Sequence, residues 1–564
     1  MNRKIAFITY ETPFAPGGGI AAVMAHLPVA LQSVSRIPTY IISPFHINIP
    51  KTIDSEPEMV NMATIKVPFD QQTYNLDILH LDQDIKWIFL KPLQKPPTGP
   101  EFFAGQRHPY NVDQVSNQIG SILLRDSLFF GKAVVLALPV IAPESFWTLL
   151  MQDWEAATTC LALNESQAKK PKYSPYLTLH NSYDSGIHIE DFKKVGANPD
   201  NFPGETVLQC SLPKVNDPVF TVSEQFALDF STEILQSEIM IPHLVSDLSP
   251  RLLGVNNGIF TDLTVPDKVL SAAQKGNYTP IRNWKIRNRE FAFRALDGIT
   301  PSDETPIWGD LERFTRDDSP WFVMAGRDDS RQKGYELACD AVAGFLSMDW
   351  QARFLFFPIP GDEGLAGIQF IQKLANRFPE SVLGFPFLFR EGYFTIMQGA
   401  NFGIMPSYYE PFGMANEFYL KGVACIGRAT GGIIQQIVPY RDVPSFTPSV
   451  RKRVERWHNS TTPPTGLLFR ERDKIPSALD DWKAINAADY QLANGNSDRL
   501  EQRKELALFQ SMANELRSCL EDGTNLYLTQ PDMYYKMLTD GITYITSNFS
   551  WINAASSYNE NVKE

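Results

Sequence analysis

"KIAFITYETPFAPGGGIAAVMAHLPVAL" (Lys4–Leu31) is the stretch of sequence that decides the fold. Its first part, Lys4–Tyr10, is mostly apolar and predicts a short buried strand. The run Gly17–Gly19 then forms a turn, and apolar residues recur with helical spacing from Ile20 to Leu31. Strand, glycine turn and helix in this order are typical of the opening of a doubly wound α/β sheet.

The glycine turn also bears on ligand binding. Such a turn exposes backbone N–H groups at a helix N-terminus, which suits a phosphate group. The spacing GxGxxG of dinucleotide-binding loops is absent, so the same residues also suit a plain tight turn.

The same pattern recurs along the chain. In the first half, Leu149–Leu163 changes from strand to helix near its start, and Tyr176–Gly186 is a strand that ends in a polar turn. The second half starts again at Pro320–Leu346 with strand, polar loop and helix. This alternation predicts parallel sheets. A break near Gly298–Asp310 divides them into two Rossmann-like domains, and a cleft between domains is a common ligand site.

Bulk properties exclude several classes of protein. A chain of 564 residues exceeds a single core, because cores stop growing at roughly 250–300 residues. A net charge of −13 without a long basic run argues against a binder of nucleic-acid backbones. The five scattered cysteines include no CxxC, which favours thiols in a reducing compartment over zinc ligands or disulfides. No apolar window is long enough for a membrane span or a signal peptide, so we predict a cytoplasmic protein.

Two proline-rich stretches, Pro92–Asn111 and Pro439–Gly466, have no clear period and are predicted to be surface insertions. Insertions near a cleft often shape specificity, and plain tolerated loops are the alternative interpretation.

Eight short motifs follow one another from end to end of the chain. They are "ETPFAPGGGIAAVMAHLPVAL", "MQDWEAA", "TLHNSYDSG", "TVSEQFA", "GVNNGIF", "AGRDDSRQKGYEL", "GANFGIMPSYYEPFGMANEFYLKGVACIGRATGG" and "FSWINAASSY". Through these motifs the chain resembles the retaining GT-B glycosyltransferases, in particular bacterial glycogen synthases and plant starch synthases.

The resemblance implies an α/β fold of the GT-B type, in which two Rossmann-like, doubly wound domains face each other across a cleft. Residues 1–300 would form an N-terminal acceptor domain, joined by a returning C-terminal segment at residues 541–564. Residues 301–540 would form the nucleotide-sugar-binding domain.

The resemblance places the donor sugar at the turn that begins at Glu410. The carboxylate of Glu410 contacts the sugar, and the glycine in the turn lets backbone amides approach its hydroxyls closely. The amides concerned are those of Phe412, Gly413 and Met414. A helix start follows, where N–H groups can hold the leaving diphosphate, at Thr430, Gly431 and Gly432.

Positive charge is needed because a diphosphate leaves while the anomeric carbon becomes cationic. The resemblance assigns this task to Arg327 and Lys333, on the loop after a strand; surface salt bridging is the alternative. It also places His180 beside the reacting carbon, with a satisfied core histidine as the alternative. The resemblance further implies that Asp153 lies near the sugar or the acceptor and that Asn257 approaches the sugar or the phosphates. It also implies that the glycine loop contributes Gly18 and Gly19 to donor binding. The resemblance also implies that no conventional base is needed, because in such enzymes the leaving phosphate takes the acceptor's proton.

The chain departs from the family pattern at several positions. Pro16 stands where a lysine usually precedes the glycines, and Ala22 where an aspartate is usual. Phe418 stands where many retaining members carry a second glutamate, as in the starch-synthase branch, and Glu417 is one position earlier. Asn416 stands where that branch commonly has glutamine.

We therefore predict a metal-independent, retaining hexosyltransferase without a cofactor. It uses a nucleotide-diphospho-sugar, ADP- or UDP-glucose, and forms an α-linkage to a glucan or another glycan. The alternatives are a GT-B glycosyltransferase with a dedicated acceptor, such as a surface polysaccharide or protein, and a non-catalytic glycan-binding scaffold. The sequence is compatible with an oligomer and predicts no nucleic-acid partner.

Overall fold

The computed structural model describes residues 2–47, 49, 59–93, 101–105, 108–110, 121–163, 173–361, 364–389, 392–487 and 498–563. The chain divides into unit 1, which comprises Met1–Gly258 and Ser550–Glu564, and unit 2, which comprises Ile259–Phe549. Of the predicted insertion Pro92–Asn111, residues 94–100, 106, 107 and 111 lie outside the described residues. Within the described part, no helix is both long and apolar enough to cross a membrane.

The strands and helices are numbered in chain order. The strands are β1 (Arg3–Ile8), β2 (Thr39–Pro44), β3 (Val60–Phe69), β4 (Gln72–Asp82), β5 (Lys86–Pro92), β6 (Phe146–Gln152), β7 (Tyr173–Leu179), β8 (Val219–Thr221), β9 (Leu252–Gly254), β10 (Trp321–Arg327), β11 (Arg353–Ile359), β12 (Val382–Gly384), β13 (Phe402–Met405), β14 (Ala424–Arg428) and β15 (Gly466–Phe469). The helices of unit 1 are α1 (Gly19–Ser35), α2 (Ile122–Ile141), α3 (Asp153–Ala157), α4 (Thr159–Leu163), α5 (Ile189–Val195), α6 (Val207–Ser211), α7 (Glu224–Thr232), α8 (Val245–Leu248) and, at the other end of the chain, α21 (Trp551–Asn561). The helices of unit 2 are α9 (Asp267–Gln274), α10 (Thr279–Asp297), α11 (Tyr335–Leu346), α12 (Gln369–Arg377), α13 (Tyr393–Gly399), α14 (Ala415–Leu420), α15 (Gly431–Gln436), α16 (Pro448–Val454), α17 (Ala478–Ala487), α18 (Arg499–Arg503), α19 (Ala507–Thr529) and α20 (Pro531–Asn548). Short 3₁₀ turns lie at Pro199–Asn201, Leu212–Lys214 and Gly364–Ile368, and a π-helical turn at Leu235–Met240.

Unit 1 is built on a nine-stranded sheet of order β3-β4-β5-β2-β1-β6-β7-β8-β9. The seven strands from β5 to β9 in this order are parallel, and β3 and β4 add an antiparallel hairpin at one edge. The predicted change from strand to helix in Leu149–Leu163 is confirmed, because β6 ends at Gln152 and α3 begins at Asp153.

Helix α21 completes unit 1 from the far end of the chain. The ring of Tyr558 stacks on Phe220 at 4.2 Å, and its hydroxyl lies 3.1 Å from the hydroxyl of Thr178. Trp551 packs so closely on Gly258 that an added Cβ there would overlap its ring. These contacts with β7, with β8 and with the loop that follows β9 explain why the returning segment belongs to unit 1.

Unit 2 is built on six parallel strands of order β12-β11-β10-β13-β14-β15. This is the order 3-2-1-4-5-6 of the doubly wound Rossmann sheet. Its central strands are apolar on both faces, as expected when helices cover both sides of a parallel sheet. The phenylalanine rings of Phe322, Phe354 and Phe402, from three adjacent strands, stack at 5.1 Å. The predicted α/β class with two doubly wound sheets is confirmed.

Residues 259–300 group with unit 2, whereas the sequence prediction drew the boundary at residue 300. Lys285 of α10 is buried, and its ammonium donates to the carbonyls of Gln398 at 2.6 Å, Gly422 at 2.8 Å and Ala400. A buried ammonium is stable only with such partners, so α10 is fixed to unit 2. At the other end, α20 extends unit 2 to Asn548, beyond the predicted residue 540.

Candidate functional site

The topology of each sheet identifies where a ligand is expected. In doubly wound sheets ligands bind beyond the carboxyl ends of the strands, at the point where the strand order reverses. In unit 2 this point lies between β10 and β13, and the following loops carry Lys333 and Glu410. In unit 1 it lies between β1 and β6, and the following residues include Glu11, Gly18 and Asp153.

In unit 2, Glu410 and Lys333 form an ion pair. The ammonium of Lys333 lies 2.8 Å from Oε2 of Glu410, and the Ser407 hydroxyl donates to the same oxygen at 2.9 Å. Gln332 Nε2 donates to Oε1 at 3.4 Å. Glu410 is only 6% exposed, so these donors stabilise a carboxylate that has little contact with water.

Arg327 lies at the end of β10 and is half-exposed. Its guanidinium is 3.5 Å from the carboxylate of Asp329 on the same loop. The loop is held by backbone bonds, since Asp328 N donates to the Ile359 carbonyl at 2.7 Å and Lys333 N to the Asp329 carbonyl at 2.8 Å. Arg327 and Lys333 are therefore presented by one ordered loop.

A buried ionic brace, made of Asp328, Glu336, Arg499 and Arg503, supports this loop from beneath. The guanidinium of Arg499 donates two hydrogen bonds, of 2.6 and 3.2 Å, to the carboxylate of Asp328. Arg503 donates to the Ser330 carbonyl at 2.7 Å and pairs with Glu336. The brace fixes the backbone between the two cationic residues, and the sequence reading missed it.

The donor turn, Glu410–Met414, is shaped by glycines. Gly413 has φ +90°, a left-handed conformation that favours glycine. Gly431 has φ +45°, and a Cβ on it would overlap the carbonyl oxygen of Glu410, while a Cβ on Gly432 would overlap the backbone of Phe412. The glycine pair at 431 and 432 is therefore required by close packing of two backbones.

Some backbone N–H groups near the donor turn already have acceptors within the protein, and others do not. Gly432 N donates to the Glu410 carbonyl at 3.1 Å, and Thr430 N donates to the Arg428 carbonyl at 2.8 Å, so neither of these amides is available to a diphosphate. The N–H groups of Phe412, Gly413 and Met414 have no acceptor among the described residues. This stretch of backbone therefore offers adjacent donors to a ligand.

Arg428 connects the loop just before the donor turn to the residues that follow β15. It forms two bonds of 2.6 and 2.9 Å with Glu471 and donates to the Tyr408 carbonyl at 2.6 Å, while Arg470 donates to the Ala429 carbonyl at 2.9 Å. Burial by itself raises the pKa of Glu471, but the guanidinium groups of Arg428 and Arg470 lower it to about 2. The carboxylate is thus ionised and holds both loops in place.

In unit 1, Glu11 occupies the start of α1. Its Oε1 accepts from Gly18 N at 2.6 Å and from Ala21 N at 2.9 Å, so the Gly18 amide is not available to a phosphate. Burial raises the pKa of Glu11, although these N–H bonds and a hydrogen bond from the side chain of Tyr110 oppose the rise. The ring of Tyr110, from the predicted insertion, also covers Gly17.

Asp153 stands at the carboxyl end of β6 with a left-handed φ of +60°, a strained conformation for aspartate. Its carboxylate accepts from His180 N at 2.6 Å and from Asn181 Nδ2 at 3.0 Å. Burial raises the pKa of Asp153 to about 7, and the nearby Glu11 adds to the rise. Burial and then Asp153 raise the pKa of Glu155 well above its usual value.

The imidazole of His180 is kept neutral. Burial lowers its pKa to about 3, and Nε2 lies 2.8 Å from Oε1 of Gln152. Gln152 donates through Nε2 to the Leu150 carbonyl at 2.8 Å, so its Oε1 is the acceptor and the imidazole proton sits on Nε2.

The remaining predicted residues of unit 1 contribute less to the observed geometry. Asn257 is buried; its backbone N–H donates to the Val222 carbonyl at 3.2 Å, and its carboxamide has no partner in the described part of the chain. An added Cβ on Gly19 would meet open space. No cluster of three or more potential metal ligands occurs among the described residues.

Each unit thus gathers its own set of predicted residues. Among the predicted residues of unit 1, which are Gly18, Gly19, Asp153, His180 and Asn257, a hydrogen bond joins His180 to Asp153. Among those of unit 2, which are Arg327, Lys333, Glu410, Phe412, Gly413, Met414, Thr430, Gly431 and Gly432, an ion pair joins Lys333 to Glu410, and Gly431 and Gly432 pack on the backbone of Glu410 and Phe412. Sequence reasoning missed Glu11, Gln152 and Glu155. They lie within quoted motifs, so proximity to Asp153 and Gly18 was the available signal.

Comparison with known proteins gives the following similarities. Residues 4–238 match the family model of the starch synthase catalytic domain. The glycogen synthase of Thermosipho africanus is 23% identical over 455 residues, with 78% of this chain and 85% of that protein covered. That of Oceanobacillus iheyensis is 23% identical over 461 residues, with the same coverage of 78% and 85%. Among solved structures, the catalytic domain of starch synthase IV from Arabidopsis thaliana, bound to ADP and acarbose, aligns with a TM-score of 0.67 at 16% identity. This alignment covers 99% of this chain and 98% of that one, and it shows the GT-B fold.

Proposed function

We propose that this chain, a nucleotide-sugar glycosyltransferase of the GT-B fold that is similar to glycogen and starch synthases, transfers glucose from a nucleotide-diphospho-glucose to a glucan with retention, forming an α-linkage. The observation that carries the proposal is the paired Lys333 and Glu410 at the switch point of unit 2, next to the unpaired amides of the donor turn. One cationic group, one anionic group and a row of N–H donors are the chemistry that a charged diphosphate and a polyhydroxylated sugar need.

The leaving group is assigned to Arg327 and Lys333. As the glycosidic bond to phosphate breaks, negative charge grows on the diphosphate, and fixed positive charge lowers the barrier without reorganisation. The half-exposed guanidinium of Arg327 and the ammonium of Lys333 supply this charge, and for this reason we propose that the reaction requires neither a metal nor a cofactor. The ionic brace beneath the loop keeps both cations in position.

The sugar is assigned to Glu410 and to the amides of Phe412, Gly413 and Met414. The carboxylate accepts from hydroxyl groups, and the amides donate to them, so together they recognise a pattern of hydroxyls. We further assign the neutral His180 and Asp153 of unit 1 to the neighbourhood of the reacting carbon. A neutral imidazole adds no charge to compete with the developing cation, and the departing phosphate takes the proton of the acceptor.

A cytoplasmic location is part of the proposal. All five cysteines are buried and unpaired: Cys160, Cys210, Cys339, Cys425 and Cys519. Such thiols persist where the environment is reducing.

The test is a donor screen. The purified chain is incubated with ADP-, UDP- or GDP-glucose, with and without glycogen, and nucleoside diphosphate release is measured together with the anomeric configuration of the product. We expect glucan-dependent release with one donor and an α-linked product, and loss of both in Glu410→Gln. Donor hydrolysis without transfer to glycogen points to a dedicated acceptor. Nucleotide binding without release from any donor leaves the non-catalytic scaffold and removes the proposal.

A further inference from the structure

A pair of buried amide side chains lies directly behind the donor turn. Gln436 is the last residue of α15 and Asn416 lies on α14, and both are fully buried. Gln436 Oε1 accepts from the backbone N–H of Asn416 at 2.9 Å and from its Nδ2 at 3.2 Å. Asn416 Oδ1 accepts from Phe260 N at 3.2 Å. The amide groups of both side chains are therefore fixed in orientation.

The side-chain NH2 groups of this pair donate hydrogen bonds to backbone carbonyls of the donor turn. Gln436 Nε2 donates to the Phe412 carbonyl at 2.6 Å and, at 3.3 Å, to the Gly432 carbonyl. Asn416 Nδ2 donates to the Gly413 carbonyl at 3.2 Å. Two consecutive peptide groups of the turn thus have their oxygens directed toward the interior of unit 2.

The direction of these carbonyls decides the direction of two N–H groups. In a trans peptide the C=O and N–H bonds point in opposite directions. The Phe412 carbonyl belongs to the same peptide as the Gly413 N–H, and the Gly413 carbonyl to the same peptide as the Met414 N–H. Because the oxygens face inward, both N–H groups face away from the amide pair, and neither has an acceptor among the described residues.

We infer that Gln436 and Asn416 are positioning residues, which hold the Gly413 and Met414 amides toward the hydroxyl groups of the donor sugar. This inference rests on the proposed function. The role is specific to the sugar, because the pair acts through the donor turn and makes no contact with Arg327 or Lys333. Gly413 needs freedom of φ to reach this conformation, and among the described residues only Gln436 donates a hydrogen bond to the carbonyl of Phe412.

The experiment separates the sugar from the nucleotide. Dissociation constants are measured by calorimetry for ADP and ADP-glucose, and for UDP and UDP-glucose, with the wild type and Gln436→Met. In the variant we expect the dissociation constant for the nucleoside diphosphate to stay within twofold. That for the sugar nucleotide should rise about tenfold, as loss of one or two hydrogen bonds predicts. The ratio kcat/KM for the donor should fall by the same factor or more.

A control and a conservative variant make the result specific. Tyr534→Phe removes a buried hydrogen bond of 2.9 Å to the Asn401 carbonyl. Asn401 immediately precedes β13, so this bond lies at the amino ends of the strands, away from the donor turn. The variant should leave the ratio of the dissociation constants for sugar nucleotide and nucleoside diphosphate unchanged. Gln436→Glu should restore the wild-type ratio at pH 6, where its buried, protonated carboxyl can donate to the Phe412 carbonyl. Should Gln436→Met not fold, alkaline titration of Gln436→Glu tests the same contact, since ionisation removes that proton and must raise the ratio.

The possible failures are distinguishable. If the wild type binds neither nucleotide nor sugar nucleotide, the proposed function fails and this inference falls with it. If the wild type binds both, and Gln436→Met weakens both equally or leaves their ratio unchanged, the positioning role is overturned while the proposed function stands.

Discussion

Replacing Lys333 by methionine removes the ammonium that lies 2.8 Å from Glu410 and leaves a side chain of similar length. The Glu410 side chain is only 8% exposed, and after the change it keeps the Ser407 hydroxyl at 2.9 Å and Gln332 Nε2 at 3.4 Å. A buried carboxylate thus loses its only ion-pair partner among the described residues and retains two neutral donors. The change should affect both folding and catalysis, by different amounts.

The two magnitudes follow from separate terms. A hydrogen bond to a charged group contributes about 1.5–3 kcal/mol to the free energy of unfolding, so Lys333→Met should lose an amount in that range. Loss of one preorganised charge that stabilises the leaving diphosphate raises the barrier by about 3–4 kcal/mol. Since each 1.36 kcal/mol is a factor of ten in rate, kcat should fall by about 10²- to 10³-fold.

The assay is nucleoside diphosphate release under saturating donor and glycogen, together with urea unfolding of the same preparations. Lys373→Met is the matched control, because it makes the same chemical change in unit 2. Lys373 forms an ion pair of 2.7 Å with Asp498, but its side chain is 65% exposed. Because solvent screens the exposed ammonium of Lys373, this pair should contribute about 0–1 kcal/mol, so the control should keep both its stability and its kcat.

The result that refutes the reasoning is a Lys333→Met protein that keeps kcat within about threefold of the wild type. In that case the ammonium does not act on the leaving group in the transition state, and its contact with Glu410 is structural only. A fall in kcat matched by the Lys373→Met control would equally contradict the assignment.

Three further predictions concern stability. Glu471→Gln should lose about 3 kcal/mol at pH 7, because the folded-state pKa is depressed from 4.5 to about 2; the deficit relative to wild type should shrink as pH falls from about 5 to about 2, and urea unfolding at pH 7 and 3 measures it. The pKa of Asp153 is raised from 3.8 in the unfolded chain to about 7 in the folded chain. Between these two values the folded chain binds a proton that the unfolded chain has released, so the free energy of unfolding falls as pH rises from about 4 to about 7. Asp153→Asn should therefore gain stability relative to wild type between pH 5 and pH 8 while losing transferase activity, and a relative loss at pH 8 in thermal melts would falsify this. Gly431→Ala should lower the free energy of unfolding by at least about 2 kcal/mol through φ strain and overlap with the donor turn, whereas Gly19→Ala, whose methyl meets open space, should not; equal urea midpoints for the two would contradict the packing argument.

Local features were predictable from the sequence. The alternation of strands and helices depends on residues that are neighbours in the chain, and so does the glycine turn before α1. Asp153 and His180 follow strands directly, and their proximity follows from parallel pairing of β6 and β7. The parallel α/β class and the clustering of predicted residues at strand ends could therefore be predicted.

Features made by distant residues were not predictable. Arg499 and Arg503 read as surface charges in an isolated sequence, but their partners Asp328 and Glu336 lie 171 and 167 positions away. Lys285 likewise finds its carbonyl partners more than 100 positions away, which is why residues 259–300 could not be assigned from composition. The antiparallel hairpin of β3 and β4 was not predicted, because its pairing depends on the edge of a sheet formed by other parts of the chain.

Helix α21 has a consequence for how the protein is made. It supplies the ring of Tyr558 to unit 1, yet the ribosome adds it only after all of unit 2 has been synthesised. Unit 2 is continuous in the chain and can complete its packing during translation as soon as its last helix emerges. Most of unit 1 is synthesised before unit 2, but its last helix is synthesised after unit 2. Until then the surface of its sheet that α21 covers is exposed, and this incomplete nascent form is the one to which a chaperone would bind.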